Sequence, residues 1–363
     1  MDANDDAISV RVISDTKGIL QIKREWNVLV GNSCRNPFLL SEFVKEFIES
    51  RQKGWAPLVL VVSFKNAIIG IVPLMIRQKF GVRSVRIPNP PFYSEFIIEE
   101  QYREVCIESI VDFLFKTLKC KFADFTLPSD SSNFGSLLSQ CQARRIHFKT
   151  LPEMGRRIIH LRCTWTEFEA EQGKRFRNEM KRIERNLTKV GPWKIVCADG
   201  NESPEAIKKI FAVERNSWKE KWRAQRDEST DEILKIDLRA LRQLSKEPKF
   251  KWNIWSLELS GKTIAYQLSI EFKGVVFFAK TAYDEQYKKL YPGIAIQNAA
   301  IKEQFNKQQN KYIDLLSDFP YQKTWTNECI PRNRIKLANG ILPITIQFTL
   351  ENKIIGKILL RMF

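Results

Sequence analysis

Residues 252–259, 263–272 and 275–282 are three runs rich in β-branched and aromatic side chains, separated only by Ser260-Gly261-Lys262 and Lys273-Gly274. Such runs joined by short glycine-containing gaps predict an antiparallel meander. The chain then crosses a polar stretch, residues 283–291, and reaches Pro292-Gly293. Beyond it, Ile294, Ile301 and Phe305 recur at spacings of seven and four and predict a helix. A short strand over 312–316 closes the series and leads into Ser317–Trp325.

The first half carries the same alternation and reads β-α-α-β-β-β-α-β-α-β. Residues 9–13 form a strand. Ile19, Ile22, Trp26 and Leu29 mark one helical face and Phe43 and Phe47 a second, with Asn36-Pro37-Phe38 turning between them. Residues 57–64 and 67–76 pair about Lys65-Asn66, 83–88 add a third strand, and 89–96 make a rigid aromatic loop. A helix over 102–118, a strand over 122–127 and a helix over 131–143 follow. This order repeats that of the later meander, helix and strand, and so suggests an internal structural duplication.

Between the halves, 156–161 is a short strand. Phe176, Met180, Ile183, Leu187 and Val190 then step by four, three, four and three, which predicts an amphipathic helix ended by Gly191-Pro192. Its other faces carry Lys174, Arg175, Arg177, Lys181, Arg182, Arg185 and Lys189 against Glu179 and Glu184, either a solvated face or an anion contact. In the next helix Ile207, Phe211, Glu214 and Trp218 share a stripe, so a carboxylate takes an apolar position. Burial there would raise its pKa towards the range of a general base, and a lysine or arginine at the core edge is the structural alternative.

Composition narrows the class. The 363 residues suit two domains of ordinary size, and 44% hydrophobic with 28% charged residues describes a globular chain. No apolar run approaches the ~20 residues of a membrane span, and the acidic N-terminus is unlike a signal peptide, which points to the cytoplasm. Seven cysteines without a C-x-x-C pair read as reduced thiols. The net charge of +17 predicts attraction to an anionic partner: a nucleotide cofactor, tRNA, an anionic lipid surface or an acidic glycan. Residues 351–363 place Lys353, Lys357 and Arg361 among apolar residues, as in a basic amphipathic helix that rests on a membrane surface or closes on the protein. His147 and His160 are the only histidines and neither has metal-ligand spacing, so no metal is expected; a G-x-S-x-G elbow, a Walker loop and a Rossmann fingerprint are all missing from the sequence.

The stretch around Pro292-Gly293 has the character of an anion site. A strand, a loop bearing Gln286, Lys288 and Lys289, and a helix start at Pro292-Gly293-Ile294-Ala295 would leave backbone N–H groups open at the positive end of a helix dipole. Gly293 lets a ligand approach the backbone. The plainer reading is that Pro-Gly simply begins a helix.

Gly261-Lys262-Thr263-Ile264-Ala265, Tyr283-Asp284, Tyr287, Pro292-Gly293, Asp314-Leu315-Leu316 and Tyr321-x-Lys323-x-Trp325 resemble the GNAT acyltransferase superfamily. More narrowly they resemble its CelD-like branch, found with polysaccharide biosynthesis and related to the Fem peptidyltransferases. In the first half Trp26-x-x-Leu29, Asn36-Pro37-Phe38 and Gly70-Ile71-Val72-Pro73-Leu74 extend the likeness, and Val213-Glu214-Arg215-Asn216-Ser217-Trp218 is similar to that branch's short Glu-before-Trp signature.

The resemblance implies an α/β (α+β) fold of two GNAT-like halves, each a mixed, mostly antiparallel sheet flanked by helices. Residues 1–155 would form the acceptor side without a donor site, 156–350 the donor half, and 351–363 the basic terminal helix. The donor would be acetyl-CoA or another acyl-CoA, with its pyrophosphate at the Pro-Gly helix start and Gln286, Lys288, Lys289, Pro292, Gly293, Ile294 and Ala295 around it. Glu214 or Asp284 would be the base, Tyr321 would protonate the departing thiolate and Lys323 would bind phosphate. Tyr93, Ser94, Glu95, Trp218 and Tyr283 would line the acceptor, an amine or hydroxyl of a small molecule, sugar or lipid. Residues 286–292 lack the two spaced glycines of the usual GNAT phosphate loop. Two alternatives stay open: a Fem-like transferase using aminoacyl-tRNA, and a non-catalytic GNAT-fold binding protein. The protein is expected in the cytoplasm, with peripheral contact at the inner membrane surface as a further possibility.

Overall fold

A computed structural model describes residues 8–50, 54–88, 94–220, 230–247 and 250–340. Tyr93 and the 351–363 segment therefore lie outside the described residues. The chain divides into two compact units, one from Met1–Met154 with the chain from Ile330 onward, the other Gly155–Cys329.

The first unit runs β1 (Ser9–Ile13), α1 (Thr16–Gln21), α2 (Lys23–Ser33), α3 (Ser41–Ser50), β2 (Ala56–Phe64), β3 (Ala67–Lys79), β4 (Val82–Arg86), β5 (Ile97–Ile98), α4 (Arg103–Asp112), β6 (Phe122–Pro128) and α5 (Ser132–Ala143). The first helical face is thus two helices, divided at Ile22. The 65–66 hairpin forms with positive φ at both Lys65 (46°) and Asn66 (62°), the geometry a two-residue turn between twisted strands needs. The sheet order is β1-β2-β3-β4-β6, with β4 and β6 parallel, and a late strand, Cys329–Ala338, adds antiparallel to β6 from Arg332↔Pro128 to Ala338↔Phe122. Both sheet faces are covered. Leu58, Leu60 and Val62 join a core with Ile107, Ile110 and Val111 of α4, while Val59 and Val61 point the other way and are also buried.

β7 (His147–His160) leads into the second unit, which continues with α6 (Trp165–Val190), β8 (Trp193–Asp199), α7 (Pro204–Arg215), α8 (Thr230–Leu244), β9 (Phe250–Leu259), β10 (Lys262–Phe272), β11 (Val275–Tyr283), α9 (Pro292–Lys307) and β12 (Tyr312–Asp314). The late strand Cys329–Ala338 is β13. The sheet order here is β7-β12-β11-β10-β9-β8, antiparallel except for the β11–β12 pair. The expected meander forms, with paired positive φ at Ser260/Gly261 and Lys273/Gly274. Phe176, Met180, Ile183 and Leu187 of α6 pack with Leu257, Ile264, Ile301 and Phe305 in the core. α6 starts earlier than its periodicity suggests, at a Thr164/Glu167 capping box, and kinks at Gly173, which has φ 80° and ψ −178°. Val190, expected on the apolar face, is 55% exposed, because it lies in the last turn beyond the core.

Candidate active site

Side-chain chemistry at the end of β12 opens the second sheet. β11 pairs with β12 at only three positions, Val275↔Tyr312, Val276↔Ile313 and Phe277↔Asp314, although β11 runs on to Tyr283. The cause is Asp314. Its buried carboxylate accepts the Leu316 N–H at 2.8 Å and the Arg156 Nη1 at 2.6 Å, and Leu316 adopts a left-handed conformation with φ 59°. That turn takes the chain away from β11, so Phe278–Tyr283 present an edge with no β12 partner among the described residues. Within that edge Leu268 opposes Lys280 while Ser269 opposes Phe278, making Ala279 the extra residue of a β-bulge. A bulge re-aims local backbone groups and recurs next to active sites.

At the far end of this opening α9 begins. Tyr291 takes left-handed backbone angles, φ 56° and ψ 45°, and so turns its carbonyl onto the helix start. That carbonyl accepts the N–H groups of Ile294 at 3.0 Å and Ala295 at 3.1 Å. Fewer N–H groups are therefore open than the sequence suggests, and Gly293 supplies the one in this turn without an acceptor among the described residues. A Cβ at Gly293 would lie 3.3 Å from Cδ1 of Tyr283, so the glycine permits a close approach.

Tyr283, Gln297 and Tyr321 complete the lining. Gln297 lies one helical turn beyond Gly293, is 1% exposed, and donates from Nε2 to Oε1 of the buried Gln267 at 3.2 Å. Its own Oε1 has no hydrogen-bond partner among the described residues. The 3₁₀ turn Pro320–Thr324 is tied to the end of β12 by Gln322, whose Nε2 donates to Leu315 O at 3.3 Å and Ser317 Oγ at 2.9 Å. This turn carries Tyr321, which is 37% exposed, stacks on Phe319 and reaches Gln297 with its phenol. Burial pushes the Tyr321 phenol above its ordinary pKa, hydrogen bonds with Gln297 and Gln322 oppose the shift, and the neighbouring Tyr283 adds to it. The phenol thus keeps its proton through the neutral range. Tyr283 is raised as well, by burial and then by Glu285.

Glu214 sits under the same strands. It is fully buried, and its Oε1 accepts the Tyr266 hydroxyl through a short hydrogen bond and faces Lys219 Nζ at 3.3 Å. Lys219 also donates to Thr281 O, on β11, at 2.5 Å. Trp218 does not share the Glu214 stripe: α7 ends at Arg215, Ile210 and Val213 take the inward positions, and Trp218 is 43% exposed. Asp284 is 1% exposed and already engaged on both oxygens, with Oδ1 accepting the Gln286 N–H at 3.0 Å and Oδ2 pairing with Lys262 at 2.9 Å. Gln286, Lys288, Lys289 and Lys323 are exposed, whereas Pro292 is buried and Ile294 and Ala295 half-buried.

Ser94 and Glu95 belong to the first unit. Ser94 Oγ donates to Thr126 O at 2.6 Å. Glu95 accepts from Asn133 Nδ2 and the Phe96 N–H, both at 2.9 Å, and burial raises its pKa despite those bonds, with Asp130 adding to the rise. Both line an apolar cleft of about 20 Å³ with Phe38, Phe47 and Ile87, room for about one water. Sequence reasoning passed over Tyr266, Gln267, Lys219 and Gln297. The visible signal was Gln297 and Gln304, two glutamines seven apart on an otherwise apolar helical face. Elsewhere, burial lifts the Cys106 and Cys141 thiols to about 12 and Cys120 to about 11, so these are inert apolar groups.

Residues 174–323 match the family model described as an acetyltransferase (GNAT) domain. No curated protein matches the chain. Among solved structures, FemX aligns with TM-score 0.57 at 9% identity, over 90% of this chain and 96% of its own. The C-terminal domain of a putative lysylphosphatidylglycerol synthetase from Agrobacterium fabrum gives TM-score 0.55 at 10% identity, over 91% and 95%. A tandem GNAT protein from the clavulanic acid biosynthesis pathway gives 0.50 at 10% identity, over 92% and 98%. At such identities these likenesses establish the fold alone: a mixed α/β protein with GNAT-like structural neighbours. Residues 174–323 thus match a GNAT acetyltransferase domain, a match that supports an N-acyltransferase.

Proposed function

We propose that this protein moves an acyl group, acetyl in the first instance, from acyl-CoA to an amine or hydroxyl of a small-molecule, sugar or lipid acceptor. One observation carries the reading: the opening between β11 and β12 runs from an unpaired strand edge to a helix start with an open N–H at Gly293. An extended pantetheine arm, with two amides, suits a strand edge that lacks its neighbour, and its pyrophosphate suits the positive end of α9. The donor is then held within the second unit alone. The resemblance to the CelD-like branch supports a glycan acceptor.

In the reaction, the acceptor nitrogen or oxygen attacks the thioester carbonyl, a new C–N or C–O bond forms and the C–S bond breaks. The acceptor's proton passes through the Tyr266 hydroxyl to Glu214, while Tyr321 protonates the departing thiolate. Asp284 is the weaker choice of base because its two oxygens are committed to a cap and an ion pair. The assay is thiol release from acetyl-CoA against a panel of amino sugars, neutral sugars and lysophospholipids. At least one class should accelerate release, and Tyr321→Phe should slow it. Acetyl-CoA binding with no acceleration by any class would leave a binding protein rather than an enzyme and overturn the reading.

A further inference from the structure

The helix start of α9 is short of donors for a ligand as charged as CoA. Among the described residues its one open N–H is that of Gly293, since Tyr291 takes the next two, and the loop before it has no spaced glycines to add more. The missing positive charge stands next to it. The guanidinium of Arg182, on α6, lies 4.8 Å from the centroid of the Tyr291 ring, the residue that caps α9. From Arg182 a groove of about 1360 Å³ follows α6, lined by Lys174, Arg175, Lys181, Arg182, Arg185 and Lys189 against only Glu179 and Glu184. Among the described residues only Arg182 has a carboxylate partner there, Glu179 at 2.6 Å. One end of the groove is closed by the half-exposed indole of Trp193, whose Nε1 donates to Thr188 Oγ1 at 3.0 Å.

We infer that this groove holds the adenosine bisphosphate end of the donor, so that α6 side chains do the phosphate recognition that backbone N–H groups do elsewhere, and the enzyme selects an acyl group carried on CoA over one carried on a protein-bound pantetheine. The inference rests on the acyl-CoA reading above. The charge fits: a pyrophosphate and a 3′-phosphate bring about four negative charges, at close to two per terminal phosphate, against a lining of six cations and two carboxylates. The reach fits too. Arg182 and Thr188 are six residues apart, about 9 Å along a helix rising 1.5 Å per residue, the scale of the step from a pyrophosphate to an adenine ring. An indole beside cations is a stacking platform for a base, which an anionic lipid or glycan would leave unused.

The test is titration calorimetry of the full chain with CoA, dephospho-CoA and 4′-phosphopantetheine at low salt, with circular dichroism to confirm each variant's fold. The wild type should bind CoA at least tenfold more tightly than 4′-phosphopantetheine. The triple variant Lys181→Gln/Arg185→Gln/Lys189→Gln, which keeps Arg182 beside the helix start, should lose that advantage and keep its 4′-phosphopantetheine affinity within twofold. Trp193→Ala should weaken CoA and dephospho-CoA alike. Equal wild-type affinity for CoA and 4′-phosphopantetheine would overturn the inference while leaving acyl-CoA as the donor. Equal losses for both ligands in the triple variant would also overturn it. Binding of neither ligand by the wild type would sink the acyl-CoA reading itself and this inference with it. If tRNA binds the wild type, and the triple variant abolishes that while CoA affinity is unchanged, the groove belongs to a polynucleotide and the inference fails.

Discussion

Gly293 is the position where a single methyl group should separate folding from donor binding. It occupies the first turn of α9, after Pro292. Replacing glycine by alanine in a helix gains about 0.5–1 kcal/mol. Against this stands a Cβ placed 3.3 Å from Cδ1 of Tyr283, a ring that is itself only half-buried and free to give by a few tenths of an ångström. The two effects nearly cancel, so Gly293→Ala should leave the unfolding free energy from urea titration within about 1 kcal/mol of wild type. Binding is another matter. A helical Cβ leans towards the N-terminus, over the N–H an anion must reach. Losing one hydrogen bond to a charged group costs about 1.5–3 kcal/mol, which at 1.4 kcal/mol per factor of ten is about 10- to 150-fold in affinity. Calorimetric titration with CoA alongside urea denaturation reads both quantities. Gly293→Trp should abolish binding outright. If Gly293→Ala keeps full affinity and full stability, the helix start does not hold phosphate and the reasoning is refuted.

Three more outcomes follow from the same geometry. Tyr321→Phe should lower kcat by about 10²- to 10⁴-fold, the usual contribution of a positioned proton donor, with KM little changed; because the phenol's pKa is raised above the ordinary tyrosine value, its proton is retained through the neutral range, and wild-type rates should not decline on its account until a more alkaline pH than a free tyrosine would set. Lys219→Met should destabilise the fold by about 3 kcal/mol in denaturant melts, since it removes the ammonium 3.3 Å from the buried Glu214 carboxylate, whereas the isosteric Glu214→Gln should cost less stability and more turnover; equal stability in all three proteins would show the pair to be energetically idle. Full-length protein should float with anionic liposomes more than a 1–351 truncation if the basic 351–363 sequence is a membrane anchor, and equal recovery would dismiss that role.

How legible this was depended on whether the information was local. The meander, the Pro-Gly helix and the basic face of α6 were readable because two-residue glycine turns and a four-three apolar step are properties of adjacent residues. The splay of β11 from β12 was not, because it depends on Asp314 reaching Arg156, 158 positions away. Nor was the membership of β13, whose pairing with β6 is more remote still in sequence. Ser94 and Glu95 could be picked as a polar pair in an aromatic loop, but their hydrogen bonds to Thr126 and Asn133 required the fold. Glu214 was visible as a carboxylate in an apolar stripe, while its partners Tyr266 and Lys219 lie on a different strand and past the helix end. Trp218 misled because periodicity was carried past the point where α7 stops. The open N–H groups were overestimated for a backbone reason: periodicity does not reveal that Tyr291 turns its carbonyl onto the helix start.

The central claim is that the opening beside β11 is the donor channel, and a crystal structure of the protein with CoA tests it most directly. The pantetheine arm should be bonded along Phe278–Tyr283, with the sulfur facing Tyr321 and a phosphate oxygen on the Gly293 N–H. CoA bound at another surface, with the β11 edge left open, would contradict it.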